Sequence, residues 1–362
     1  MITRRQTRAI SVGDVRIGGE NPVVVQSMTK TDTKDVKATL SQIEDLYKRG
    51  CEIVRVAVKD MDATSALKEI VKESPVPIIA DIHFDYLLAI YSMEAGAKGI
   101  RINPGNIGGR ERLLKIIDRA RLDNVAIRIG VNSGSLEKEI LNKHGGPTPR
   151  AMVESGLNCL RIFEDSDYTN TKFSLKSANV MDTVYAYREF SKVCDYPLHL
   201  GVTEAGTVFK GAVKSAVGIG ILLYEGIGDT IRVSLTGDPV KEVICAYTIL
   251  SALGIRKRGV NVISCPTCGR TEIDIVKIAD EVERRLEGLD LNITVAVMGC
   301  EVNGPGEARE ADVGIAGGKG MGLLFRNGKV IKKVKEAELL DELIKEVEKI
   351  RAENESHEAG CH

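Results

Sequence analysis

"GIRINPGNIGGRERLLKIIDRARLDNVAIRIGVN", residues 99 to 132, reads as strand, helix, strand. Short β-branched runs stand at both ends, and "GRERLLKIIDRA" between them repeats apolar residues at helical spacing. A helix between two such strands is the repeating unit of an α/β sheet. The same grammar extends in both directions, with strand-like runs at "PVVVQSM" (22 to 28), "EIVRVAV" (52 to 58), "PIIADIH" (77 to 83), "TKFSLKS" (171 to 177), "LHLGVTEAG" (198 to 206) and "TIRVSLTG" (230 to 237). Eight strand-helix units in roughly 250 residues predict a (β/α)8 TIM barrel. No dinucleotide glycine fingerprint follows the first strand, which disfavours the doubly wound open sheet.

From Val260 the pattern restarts. "GVNVIS" reads as a strand, "TEIDIVKIADEVERRLEG" as a helix, "NITVAVMG" and "ADVGIAGG" as strands, "MGLLFRNGKVIKKV" as a hairpin turning at Asn327-Gly328, and "EAELLDELIKEVEKIRAE" as a closing amphipathic helix. The expected organisation is α/β throughout: a barrel over residues 1–258, a small α/β domain over 259–352, and a polar tail over 353–362 that frays. Cys361 and His362 lie in that tail and are poor ligand candidates.

The 362 residues are 43% hydrophobic with a formal net charge of -1, so neither nucleic acid nor an anionic membrane has a general electrostatic claim on the chain. No apolar run approaches the roughly 18 residues of a membrane span, and the arginine-bearing start has no apolar run behind it. A cytoplasmic protein is expected. Eight cysteines without a secretion signal do not make a disulfide framework. Cys51, Cys159, Cys194 and Cys245 sit singly in apolar or helical surroundings, as small core residues do.

Strand parity gathers the chemistry. Alternate side chains share a face, so Asp81 pairs with His83, Arg101 with Asn103, Arg128 with Asn132, and Arg232 with Ser234, each near the end of its strand, where barrel enzymes keep their active sites. With Arg55 and Lys176 this makes five cations on five strands, all directed to one mouth. Two bare cations about 4 Å apart repel by roughly 4 kcal/mol at an effective dielectric of 20, so such a ring calls for anions. Asp81 and Glu204 cancel only part. The loop "NPGNIGG" (103 to 109), just before a helix, offers backbone donors for a phosphate. A small diphosphate-bearing substrate held by bidentate arginines fits this pattern. His83 and His199 stand as ligands, bases or ordinary hydrogen-bonded barrel histidines.

"SCPTCGR" (264 to 270) and "MGCEVNGPGEA" (298 to 308) supply Cys265, Cys268 and Cys300. A zinc ribbon wants a second Cys-x-x-Cys, which is missing. A thioredoxin-like dithiol remains open, since Cys265-Pro-Thr-Cys268 precedes a helix, but it leaves Cys300 without a task. If the two strands before these motifs are parallel neighbours, their ends bring three thiolates to one rim, and an iron-sulfur cluster follows. For a fourth ligand the tight "NGPGEA" loop presents Glu307, with Glu301 as the local rival; a carboxylate is harder than a thiolate and more readily displaced.

"SCPTCGR" and "GCEVNGPGEA" followed by "ADVGIAGG", with "ADIHF", "RINPGN", "IRIGVN" and "VTEAG", resemble the 4-hydroxy-3-methylbut-2-enyl diphosphate synthase family of the non-mevalonate isoprenoid pathway, in its bacterial two-domain form. The resemblance spans nearly the whole chain. It implies reductive ring opening of 2-C-methyl-D-erythritol 2,4-cyclodiphosphate, with two electrons delivered through a 4Fe-4S cluster on Cys265, Cys268, Cys300 and Glu307 and supplied by flavodoxin or ferredoxin. It places substrate contacts on Arg55, Arg101, Arg128, Lys176, Arg232 and Ser234, with Asn132 and Thr203 as weaker matches, and puts Glu204 near the reacting carbons in a proton-handling role. Asp81 and Asn103 join the substrate set through strand parity.

"DPVKEVICAYTILSALG" after the eighth strand predicts a helix returning down the barrel at about 1.5 Å per residue, ending near the face opposite the mouth. The cluster domain then starts at the wrong end of its own barrel. A head-to-tail homodimer, joining one chain's barrel to the other chain's cluster, satisfies this geometry and agrees with the resemblance.

Overall fold

The computed structural model describes residues 2–300 and 310–359. They divide into two compact units, one ending at Arg256 and the next beginning at Lys257.

The first unit opens with a hairpin that sequence reading does not anticipate, β1 (Ile10–Val12) and β2 (Val15–Ile17), turning at Gly13 with φ +61°. Its strands are three residues each, too short for periodicity to register. Ile10, Val12 and Ile17 pack with Val24, Ile53, Ile79 and Ala126 from the early ends of barrel strands, so the hairpin plugs the barrel's base.

The barrel strands are β3 (Val24–Met28), β4 (Ile53–Ala57), β5 (Ile78–Asp81), β6 (Gly99–Ile102), β7 (Ala126–Asn132), β8 (Thr171–Lys176), β9 (His199–Leu200) and β10 (Thr230–Ile231). They pair in parallel in the order β8-β7-β6-β5-β4-β3-β10-β9, and a parallel bridge between Phe173 and Leu198 joins β8 to β9. All eight predicted strands are present. The last two are far shorter than their β-branched runs, because the chain leaves the ladder after Leu200 and Ile231 to build loops, with Glu204 at φ +52° and Gly206 at φ +107°.

Helices α1 (Val36–Lys48), α2 (Met61–Glu73), α3 (Tyr86–Glu94), α4 (Arg110–Asp123), α5 (Lys138–His144), α6 (Pro149–Asp165), α7 (Val180–Ser191), α8 (Val208–Tyr224) and α9 (Val240–Ala252) alternate with them. Asp35, Asp60 and Asp85 start the first three by accepting from the amides of Ala38, Ala63 and Leu87, which satisfies donors that have no partner inside the helix. Outward strand residues such as Val54, Ile78, Ile100 and Ile127 pack with helix residues such as Leu46, Leu67, Leu113 and Phe163, forming one continuous core. The inward positions remain for the site.

The second unit holds β11 (Asn261–Ser264), α10 (Ile275–Leu286), β12 (Thr294–Met298), β13 (Val313–Gly317), β14 (Met321–Arg326), β15 (Lys329–Lys335) and α11 (Leu339–Ala359). Its sheet runs β11-β12-β13-β14-β15, the first three strands parallel and the last two antiparallel to their neighbours. The hairpin turns at Asn327 and Gly328, both at positive φ, as an Asn-Gly pair predicts. Ile275, Val282 and Leu286 of α10 pack with Leu339, Leu343 and Val347 of α11 and with the sheet's valines. α11 continues through Asn354 to Ala359, where polar composition alone predicts fraying. An Arg351–Glu355 pair one turn apart and the Ser356 hydroxyl donating to Ala352 O extend the helical order.

Candidate active site

Barrel register sets basic residues shoulder to shoulder. Asp81 pairs with Arg101, Arg101 with Arg128, and Arg128 with Lys172, one residue from each of four neighbouring strands. All four are buried, at 1% to 4% exposure. Arg55, Lys176 and Arg232 complete the group from β4, β8 and the segment after β10.

Two carboxylates organise it. Asp81 accepts from Arg101 Nη1 at 3.2 Å and pairs with Arg55 Nε at 3.5 Å, with His83 Nε2 also 3.5 Å away. Burial pushes the Asp81 carboxyl up, but Arg55, His83, Arg101 and Arg128 outweigh it and hold it well below the usual carboxylate range. Glu242, in the first turn of α9 and 1% exposed, accepts from Arg232 Nη2 at 3.2 Å, Ser27 Oγ at 2.9 Å and Leu235 N at 3.1 Å. Lys30 Nζ lies 3.2 Å from the same carboxylate. Glu242 therefore aims Arg232 and braces the ends of barrel strands one and eight.

The cations strain against one another. Burial first, then its arginine neighbours, push Arg55 down to about 10 and pull Arg128 and Lys176 well below their ordinary values. Arg128 Nε and Nη1 are buried without a partner among the described residues. Backbone room for these side chains comes from glycine: a Cβ on Gly130 would stand 2.6 Å from Arg101 Nε, and one on Gly201 2.5 Å from Lys176 Nζ. Asn132, with its amide oriented to satisfy both ends, accepts from Arg101 Nη2 at 3.1 Å.

The other predicted residues divide. Asn103 is buried and spent on structure, donating to Ser135 Oγ at 2.6 Å and accepting from Gly105 N at 3.0 Å. Its carbonyl takes the amides of Asn106 and Ile107, so the "NPGNIGG" loop has already committed three of the donors expected to serve a phosphate. Thr203 and Ser234 are half-buried past the ends of β9 and β10. Glu204 is exposed, and its left-handed backbone is uncommon for a residue with a side chain.

Lys172 and Glu242 are absent from the sequence reading. Lys172 was within reach, since it shares parity with Lys176. It is 1% exposed, and burial followed by Arg128 and Arg55 pulls its amine well below the lysine range. Glu242 carries no such signal, because a single acid on a helix is ordinarily solvated.

His199 is fully buried, with Nδ1 2.6 Å from Thr230 Oγ1, and burial, Lys176 and Arg128 depress its pKa well below that of an ordinary histidine. It is a neutral structural residue of the barrel interior rather than a base facing the mouth. The unfolded chain protonates His199 below about pH 6.5 and the folded chain does not, so its contribution to stability is present above that value and lost as pH falls, at up to about 1.4 kcal/mol per pH unit. Thermal melts between pH 7 and 5 should fall more steeply for the wild type than for His199→Asn; parallel slopes would refute this assignment.

In the second unit, Cys265 follows β11 and Cys300 lies two residues beyond β12, and these strands are parallel neighbours with Ser264 opposite Val297. Gly299 N donates to Cys265 Sγ at 3.2 Å, and Glu272 N donates to Gly299 O at 3.0 Å, tying the "CPTC" loop to the end of β12. The Cys268 thiol is pushed down by the Arg270 amide and then its side chain. α10 begins only at Ile275, and its N-terminus is capped by Asp274, so the helix does not stabilise a Cys265-Cys268 dithiol in the way its sequence position predicts. Among the described residues no three His, Cys, Asp or Glu side chains stand close enough to hold a metal ion. Cys265 and Cys300 follow the same ends of two neighbouring strands without forming a cage with Cys268 among the described residues. Three thiols with amide donors to sulfur nonetheless fit an iron-sulfur cluster in donor chemistry. Glu301 and Glu307 lie outside the described residues. Cys51 and Cys194 are buried thiols pushed up to about 12, unreactive core residues.

The GcpE TIM-barrel domain matches residues 7–247, and the GcpE protein C-terminal domain matches residues 261–349. A protein of Geobacter sulfurreducens named 4-hydroxy-3-methylbut-2-en-1-yl diphosphate synthase (flavodoxin) is 59% identical over 97% of this chain and 99% of its own. Proteins of the same name from Clostridium perfringens and Aquifex aeolicus are each 57% identical over 96% of this chain, and over 100% and 98% of their own. With a barrel and a thiol-bearing domain each matched over nearly its full length, the chain belongs to the GcpE family, whose relatives bear the name 4-hydroxy-3-methylbut-2-en-1-yl diphosphate synthase (flavodoxin).

Proposed function

We propose that this protein opens the ring of 2-C-methyl-D-erythritol 2,4-cyclodiphosphate reductively to (E)-4-hydroxy-3-methylbut-2-enyl diphosphate, with two electrons from flavodoxin or ferredoxin, in the cytoplasm. The observation that carries the reading is the largely buried basic cradle, in which the six cations Arg55, Arg101, Arg128, Lys172, Lys176 and Arg232 outnumber the buried carboxylates described near them, Asp81, Glu242 and, acting on Lys172, Asp229. A cyclic diphosphate is the kind of compact anion that relieves such a surplus. Among the described residues no helix is long and apolar enough to cross a membrane.

Arg128, whose Nε and Nη1 have no partner among the described residues, takes a bidentate phosphate contact, and Arg232 is held ready by Glu242. A bound diphosphate favours the charged form of Lys176, whose amine burial and its arginine neighbours pull well below the ordinary lysine range. As the ring opens, charge grows on the leaving diphosphate oxygen, and these preorganised cations stabilise it. Ser234, Thr203 and Asn132 fix orientation. Glu204, on the loop after β9, handles a proton at the reacting carbons.

Cys265, Cys268, Cys300 and Glu307 would hold a 4Fe-4S cluster, which supplies one-electron reduction. The cluster comes from a second copy in a head-to-tail homodimer. Chain connectivity supports this: Arg256, the last residue of the barrel unit, donates to Val23 O at 2.7 Å and pairs with Glu52 at 2.8 Å, at the early ends of β3 and β4, away from the mouth.

Anaerobic incubation of the iron-loaded protein with reduced flavodoxin and the cyclodiphosphate should yield the linear alkenyl diphosphate. Recovery of unchanged substrate with a demonstrably reduced cluster would overturn the reading.

A further inference from the structure

β15 is the edge of the second unit's sheet among the described residues, and it reads Lys-Val-Ile-Lys-Lys-Val-Lys from Lys329 to Lys335. Val334 packs with the α11 core and Lys332 pairs with Glu342, so these two point to the helix side. Lys333 stands opposite Leu323 and Lys335 opposite Met321, on the other face. A bulge between Leu324 and Phe325 brings Val330 opposite Phe325, onto that same face. Val330 and Met321 are 58% and 38% exposed. Two lysines flanked by exposed apolar side chains thus form a strip. Neither lysine has an ion-pair partner among the described residues. Glu336 and Glu338 follow, but four lysines face these two acids between residues 329 and 338.

The strip lies on the sheet face whose packed cluster Cys265 touches. Cys265, Met298, Ala316 and Leu323 belong to one packed cluster, and register carries the row from Met298 to Ala316, Leu323 and Lys333. Four strand spacings separate the β11 end of that row from Lys333, about 19 Å. Lysine on an exposed edge repels an identical edge, which argues against a second copy pairing there and leaves an acidic partner as the complementary one.

We infer that the Lys333–Lys335 edge, with Val330 and Met321, is the docking surface for an acidic protein electron carrier of the flavodoxin kind. The inference rests on the proposed reduction, because only an electron-accepting protein has use for a carrier on the thiol side of its sheet. Charged rims steer encounter and lose their hold as salt screens them, whereas apolar centres do not.

The test compares two reductants on the loaded enzyme. With photoreduced bacterial flavodoxin at low ionic strength, the double variant Lys333→Glu/Lys335→Glu should raise the KM for flavodoxin about tenfold or more, and Lys333→Gln/Lys335→Gln should raise it less. The wild-type KM should climb with added salt. With dithionite, which needs no docking surface, both variants should turn over within about twofold of wild type. An unchanged KM for flavodoxin, or an equal loss with both reductants, overturns the docking surface. A wild type that turns over with neither reductant overturns the proposed reduction and takes the docking surface with it.

Discussion

Arg128→Met should lower kcat/KM for the cyclodiphosphate by about 10² to 10³, the usual cost of removing one preorganised donor from a water-poor site. The other arginines are partly occupied: Arg55 and Arg101 share Asp81, and Arg232 leans on Glu242. Arg128 keeps two buried nitrogens without a partner among the described residues and is 3% exposed. A residue left so costly in the free protein has its return in the bound state. Methionine keeps the unbranched stem as far as the Nε position and removes the charged guanidinium, so the same variant should melt higher than wild type in the absence of ligand, because an uncompensated buried charge is gone. Activity falling while the melting temperature rises is the combined signature, read by steady-state kinetics and calorimetry. Loss of both together would make Arg128 a structural residue.

Cys300→Ser should abolish turnover, by about three orders of magnitude or more, and take the iron with it, from about four irons and four sulfides per chain to a small residue of each. Cys159→Ser, which alters a buried thiol of the barrel core, should leave iron content unchanged. Anaerobic iron and sulfide analysis with electron paramagnetic resonance of the reduced protein distinguishes the two. Mixing Cys300→Ser with Arg128→Met after dissociation should restore part of the activity if each site joins one chain's barrel to the other chain's cluster, since one of the two mixed sites is then intact. No recovery in a verified mixed dimer would place the complete site within one chain.

Periodicity was sufficient for the barrel, because eight buried parallel strands each write a β-branched run that little else produces. It failed for the β1–β2 hairpin, whose three-residue strands are below the length at which alternation can be distinguished from chance. It overstated β9 and β10, where β-branched residues serve loops rather than a ladder. Parity located the cradle because a strand's two-residue repeat converts position directly into direction, as Asp81, Arg101 and Arg128 show in register. Glu242 stayed hidden because it reaches the cradle from a helix, through tertiary contacts that no local pattern encodes. The commitment of the Gly105, Asn106 and Ile107 amides to Asn103 was equally invisible, since a glycine-rich turn looks the same whether its donors are free or spent.

The hairpin at the barrel's base also governs traffic. With Ile10, Val12 and Ile17 stopping one end, the interior is a vessel with a single opening, and water, protons, substrate and product must share it. Any ligand seated on Arg128 and Lys176 is then a cork. Beneath it lie Lys172 and His199, at 1% and 0% exposure, so a ligand there would stand between both groups and the solvent at the mouth.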